Sequence, residues 1–370
     1  MLRCFNILVS PLDWGLGHAT RCIPIISYLT KKGCNVFIAA EGNIKALLEN
    51  EFPCATFLPL SGYNIRYSRQ KKWLPLKIFA QIPRILYSIF EEHQWLKKTI
   101  KDHSITAVIS DNRFGLYNCK VPCVYITHQL FIKTGNSFTE QMAGNINRFF
   151  INKFTECWVP DFKGNDNIAG QLSHPHKLPN SVKFIGCLSR FNFIENVKIK
   201  YDLLILLSGP EPQRTILEKI LLLHLKEFEG AVLLVRGLPG NNIPYPDFKF
   251  LKLNTACTLE IKNHLGATEL NLALQQAETI ISRSGYTTVM DLLKLKKKAI
   301  LIPTPGQTEQ EYLAKYLMER KMFYSVIAGK FVLSEAIKNA AELDIITESY
   351  KMNQYEEILD EFLKNLKKEK

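Results

Sequence analysis

The sequence contains no Asp-x-Asp pair, no Cys-x-x-Cys pair and no apolar run near the ~20 residues that cross a bilayer as a helix. Without the first there is no compact acidic metal-binding pair, and a divalent cation is not expected. Without the second, the nine cysteines stay scattered. Cys119 and Cys123 alone make no zinc site, and several of the others sit among apolar residues, as reduced core cysteines do. The missing apolar run, together with the lack of a signal-peptide pattern at the start, gives the expectation of a cytoplasmic chain that does not span a membrane. Zinc-finger spacing, an RNP-like strand and a long Lys/Arg tract are also absent, so nucleic acid is not the expected partner.

What is present begins with charge. The 370 residues carry a formal +12, and residues 1–200 hold 25 Lys and Arg against 13 Asp and Glu, whereas residues 201–370 hold 22 of each. The excess positive charge is therefore confined to the first half. Such a half is suited to an anionic membrane surface or a diphosphate lipid. Composition is globular, with 46% hydrophobic and 22% charged residues, and the length suits two domains.

The most informative stretch is Thr279–Tyr312. A short apolar strand (Thr279–Ser282) runs into Arg283-Ser284-Gly285-Tyr286-Thr287-Thr288, which opens a helix; a second buried strand (Ala299–Pro303) runs into Gly306-Gln307-Thr308-Glu309-Gln310-Glu311-Tyr312, which opens another. Two helix starts face the same end of one sheet. Free N–H groups and the positive end of the dipole suit phosphate oxygens, and Ser284, Thr287 and Thr288 add hydroxyls. Asp291 follows on the same helical face, where a carboxylate can take ribose hydroxyls. Taken alone, Ser-Gly and Thr-Thr more commonly just cap a helix; the second polar turn, with Gln310 and Glu311, tips the reading to a nucleotide.

Arg-Ser-Gly-x-x-Thr-x-x-acidic, followed by a Pro-ended strand and a helix beginning Gln-Glu-Tyr, resembles the nucleotide-sugar half of the MurG-type glycosyltransferases, glycosyltransferase family 28. The resemblance implies Asp291 at ribose and Gln310 at the sugar hydroxyls. Glu311 stands where that family usually carries a second Gln, a departure that bears on the donor sugar. It further implies the GT-B architecture: an α/β chain of two Rossmann-like domains facing across a cleft. Residues 1–191 would bind the acceptor and 192–349 a UDP-sugar, with helix 350–370 crossing back to the first domain.

The first strand, Phe5–Ser10, leads into Pro11-Leu12-Asp13-Trp14-Gly15-Leu16-Gly17-His18-Ala19-Thr20-Arg21 and a helix. Gly15 and Gly17 let the backbone approach a ligand, though the third glycine of a dinucleotide fingerprint is missing. His18 can be a general base near neutral pH, with Asp13 orienting it or serving as base itself; capping the helix is the alternative. This loop resembles that of MurG-type enzymes, and its Gly-x-Gly-His-x-x-Arg-Cys pattern is similar to the start of the PseG-type UDP-sugar hydrolases. Either resemblance implies His18 near the reaction centre, and hydrolysis stands as the rival to transfer, with a non-catalytic nucleotide-sugar-binding protein as a third reading.

Strand Ala107–Ser110 delivers Asp111-Asn112-Arg113 at its carboxyl end, and strand Val121–Thr127 delivers His128-Gln129, where open α/β sheets place ligand groups. Asp111 and His128 are thus expected to line the same cleft as His18, with Asp111 either assisting His18 or serving only as a turn or cap residue; the resemblance implies an acceptor-side role for His128. In Arg66–Phe79, with Lys71, Lys72 and Trp73, cations give way to aromatic and aliphatic residues, as at a membrane interface or at a core helix with a basic lead-in. Gly186-x-x-x-Arg190 resembles the family's interdomain segment, which implies Arg190 at the diphosphate. The loop Ser208-Gly209-Pro210-Glu211-Pro212-Gln213-Arg214-Thr215 repeats the first loop's position, with Ser208, Gly209 and Arg214 toward a diphosphate. Further strands are expected at Ala231–Val235 and around Phe250. A helix over Glu269–Ala277 would follow the loop Asn263–Ala267, at the family's uracil-contacting position.

Overall fold

The computed structural model describes residues 5–13, 15–63, 74–238, 253–343 and 350–368. The basic stretch Arg66–Trp73, with Lys71, Lys72 and Trp73, and the strand expected around Phe250 lie outside them. The chain divides into two units, Met1–Ser189 with Tyr350–Lys370, and Arg190–Ser349.

In the first unit the elements run β1 (Asn6–Pro11), α1 (Leu16–Lys31), β2 (Asn35–Ala39), α2 (Gly42–Glu51), β3 (Thr56–Leu58), α3 (Leu74–Asp102), β4 (Ala107–Asp111), β5 (Cys123–Ile126), α4 (Ser137–Ile151), β6 (Glu156–Val159) and β7 (Val182–Phe184). The strands form one parallel sheet in the order β3-β2-β1-β4-β5-β6-β7. Their apolar runs, such as Ile7-Leu8-Val9, are buried on both faces, as a parallel sheet covered by helices requires.

The second unit runs β8 (Tyr201–Leu206), α5 (Gln213–His224), β9 (Gly230–Val235), β10 (Cys257–Lys262), α6 (Ala267–Gln275), β11 (Ala277–Ser282), α7 (Tyr286–Lys294), β12 (Ala299–Leu301), α8 (Thr308–Glu319), β13 (Tyr324–Ser325) and α9 (Leu333–Ala341). Its sheet is also parallel, in the order β10-β9-β8-β11-β12-β13. The helix expected to end at Ala277 stops at Gln275, because Ala277 already pairs with Tyr201 as the first residue of β11.

A last helix, α10 (Gln354–Lys368), belongs to the first unit. Leu359, Phe362, Leu363 and Leu366 recur at helical spacing and pack with α1, β1 and Trp158 in one core. The Phe362 and Trp158 rings meet edge to face, 5.4 Å apart. Both sheets reverse strand order beside their first strand, at β1/β4 and at β8/β11. In open α/β sheets that switch point, at the carboxyl ends of the strands, is where ligands bind.

Candidate active site

At the β1/β4 switch point of the first unit, β4 ends in Asp111, and the β1–α1 turn leads into His18 on the first turn of α1. The turn is possible because Gly15, at φ 108°, takes a backbone conformation that a side chain disfavours. His18 Nδ1 lies 3.0 Å from Asp111 Oδ1. Arg21, one helical turn on, also binds Asp111, through Nε to Oδ2 and through Nη2 to Oδ1, and its Nη1 is 3.1 Å from His128 Nδ1. Asp111 is fully buried, while the His18 side chain remains 16% exposed. The cluster is thus sealed behind the imidazole and open at its outer edge.

The electrostatics follow from that burial. Burial pushes the Asp111 carboxyl up, but the Arg21 and His18 neighbours outweigh it and hold the group well below the usual carboxylate range. Burial, then the Arg21 charge, lowers His18 from its ordinary 6.5, against the opposing pull of Asp111. A neutral imidazole beside an ionised carboxylate is the protonation state a general base needs.

Behind this cluster, Arg113 donates to Glu92, to the Pro11 carbonyl at 3.4 Å and to the Ser61 carbonyl. Glu92 in turn accepts from Tyr63 and from the Gly115 amide. The buried Glu92–Arg113 pair therefore ties the end of β1 to the loops after β3 and β4. Asp13 faces a different way: its carboxylate packs on Gly62 and accepts from the Tyr63 amide at 3.3 Å. Gly15 is the N-cap of α1, and Gly17 lies in its first turn beside His18. Gln129 sits beside His128, its amide 3.5 Å from the ring.

In the second unit, α7 starts at Tyr286 with Gly285 as its N-cap and no side-chain cap, so its first N–H groups are left to other partners. Thr287, Thr288 and Asp291 share the outer face of its first turns and are half-buried. Ser208 and Gly209, after β8, are exposed. Arg190 sits 5.0 Å from the Phe191 ring, and its charge is among the influences that lower His264.

Four expected ligand residues have internal partners. Arg214 is 4% exposed and bound to Glu211, Glu218 and the Arg236 carbonyl, while Glu218 also holds Arg236. Its guanidinium is committed to this buried network, because one carboxylate there serves two cations. The Ser284 hydroxyl is fully buried and donates to the Gln310 carbonyl at 2.9 Å. Gln310 accepts from the Thr304 amide and donates to Gln307, and Glu311 accepts from the Gly306 amide at 2.8 Å, so both shape the β12–α8 turn.

Sequence reasoning passed over Arg283. It is 2% exposed and donates to the carbonyls of Ile302, Pro303 and Gln213, joining the loops after β8, β11 and β12. Burial lowers it to about 10. An arginine directly after a buried strand, ahead of Ser-Gly, was the available signal.

Residues 251–358 match the glycosyltransferase family 28 C-terminal domain. No curated protein matches the sequence. The fold matches solved glycosyltransferases along nearly the whole chain. MurG of Acinetobacter baumannii is similar at TM-score 0.58 and 14% identity, covering 98% of this chain and 100% of that one. The calicheamicin glycosyltransferase CalG4 is similar at 0.64 and 12%, covering 99% and 98%. LpCGTa, solved in complex with UDP, is similar at 0.64 and 12%, covering 99% and 100%. The fold is that of the GT-B glycosyltransferases. Within that fold, residues 251–358 carry the family 28 C-terminal domain.

Proposed function

We propose that the protein transfers a sugar, N-acetylglucosamine or a close relative, from its UDP-sugar to an acceptor hydroxyl, with inversion at the anomeric carbon. The observation that carries this reading is the His18–Asp111 pair: a neutral imidazole at a sheet switch point, oriented by a buried carboxylate and open to solvent at its edge. His18 takes the acceptor proton as the acceptor oxygen bonds to the anomeric carbon, and the bond from that carbon to the UDP oxygen breaks. The second unit holds the donor. Amides at the start of α7 and in the Ser208-Gly209 loop, the Thr287 and Thr288 hydroxyls and Arg190 take up the charge on departing UDP, Asp291 holds ribose, and Gln310 with Glu311 contacts the sugar. The scheme uses no metal ion.

The acceptor is proposed to be lipid-linked and reached at an anionic membrane surface. The positive first half supports this, as do the exposed Tyr87 and Phe90 on α3 and Phe138, Ile146 and Phe149 on α4, with Lys153 Nζ 4.7 Å from the Phe149 ring. Among the described residues no helix is long and apolar enough to cross a membrane.

The test is UDP release from UDP-N-acetylglucosamine and other UDP-sugars, with and without polyprenyl and glycolipid acceptors, for the native protein and His18→Ala. Release that needs the lipid fraction and is lost in the variant is the expected result. Equal release in water alone would replace transfer by hydrolysis.

A further inference from the structure

Asn112 follows Asp111 directly, and its amide donates to the Ile126 carbonyl at 3.1 Å, extending the β4–β5 pairing by one bond. Its φ is 56°, in the left-handed region that only glycine enters freely and that asparagine tolerates better than most residues. The residues on either side are fixed. Asp111, fully buried, is held by His18 and Arg21 on α1, whereas Arg113, 1% exposed, is held by Glu92 on α3 and by the Ser61 carbonyl. The buried Ser110 hydroxyl closes the turn by donating to the Arg113 carbonyl at 2.6 Å. A non-glycine residue stays left-handed where its surroundings over-determine it, as they do here.

The side chain of Asn112 is what this turn leaves over. Asp111 engages α1 and Arg113 engages α3, so the helices on both faces of the sheet are served by its neighbours. Asn112 itself is half-buried, and among the described residues no hydrogen bond reaches its carboxamide. It stands next to the carboxylate that lies 3.0 Å from His18, and Ile126, whose carbonyl it binds, is two residues before His128. The backbone alone does not call for a carboxamide, since glycine suits a left-handed position better.

We infer that Asn112 is a substrate-binding residue of the first unit, whose carboxamide holds adjacent hydroxyls of a sugar acceptor beside His18. A carboxamide offers an N–H and a C=O side by side, so one hydroxyl accepts while its neighbour donates. A neutral polyol meets both groups, whereas a carboxylate or a phosphate uses the N–H alone. The role rests on the proposed transfer and narrows its acceptor to a neutral, hydroxyl-rich one.

Asn112→Gly separates the two roles, because it relieves the backbone while deleting the carboxamide. The expected variant unfolds in urea at or near the native midpoint and keeps its KM for the UDP-sugar. Its KM for the glycolipid acceptor rises about tenfold, as the loss of one or two neutral hydrogen bonds requires. A native acceptor KM in the glycine variant would reduce Asn112 to a turn residue and overturn the inference. So would a fall in stability with both KM values rising together. Should no donor be turned over, the failure falls on the proposed transfer, and NMR of the full chain decides the inference. The Asn112 side-chain amide signals, assigned by their loss in Asn112→Gly, should shift on titration with the methyl glycosides of glucose, galactose or N-acetylglucosamine. No shift with any of these sugars overturns it.

Discussion

The hydroxyl of Ser284 donates to the backbone carbonyl of Gln310 across 2.9 Å, tying the start of α7 to the start of α8. The bond is buried, so losing it leaves a carbonyl without that donor. Ser284→Ala is expected to lower stability by about 1–3 kcal/mol in urea unfolding. It should also raise KM for the donor more than it lowers kcat, because the two helix starts then lose their mutual register.

The pH dependence follows from His18 and Asp111. A base lowered from 6.5 is already neutral at pH 7, so kcat/KM should stay flat through neutrality and fall only below pH 6.5. Stability moves in the same direction. His18 binds protons less readily folded than unfolded, so its contribution is lost as pH falls through 6.5. Asp111, lowered from 3.8, contributes above that value and is lost on further acidification. Thermal melts should be level from pH 8 to 6.5 and decline below that, with a further fall below 3.8, and His18→Gln should remove the first part of the decline.

Glu218 lies between Arg214 and Arg236, and all three are at most 5% exposed. Glu218→Gln leaves two buried cations sharing a neutral partner, and a loss of about 3–5 kcal/mol is expected. Arg214→Ala tests the same network from the other side. Its cost should appear in the unfolding midpoint, with donor binding in the surviving folded fraction little changed.

Phe362 fills the core of the first unit beside Trp158. Phe362→Ala should cost about 3–5 kcal/mol. Near-ultraviolet circular dichroism of Trp158 would report the loss.

The stretch 279–312 was legible because its signals are local: β11, α7, β12 and α8 follow from apolar runs, Gly and Pro, and polar helix starts within a few residues. The amphipathic repeat made α10 legible as a helix, whereas the core it joins was an expectation from the resemblance. His18, Asp111 and His128 could be placed at strand ends, but their assembly depends on β1 lying between β2 and β4, a strand order that periodicity does not encode. Arg21 and Arg283 were missed for a related reason. Each satisfies partners far along the chain, Asp111 90 residues from Arg21 and Gln213 70 residues from Arg283, and a buried arginine looks in sequence like any surface one. Arg214 shows the reverse error. Its position favoured a phosphate, whereas Glu218, one helical turn on, claims it.

The placement of α10 also bears on how the protein is made. The ribosome releases the first 189 residues with the face of α1 and Trp158 still lacking Leu359, Phe362, Leu363 and Leu366, which are synthesised only after the whole of the second unit. Residues 1–189 must wait, with apolar surface uncovered, until residues 354–368 are made. A ribosome stalled before residue 350 would present a chaperone substrate, and a frameshift just before that residue would disable a unit whose strands were all made much earlier.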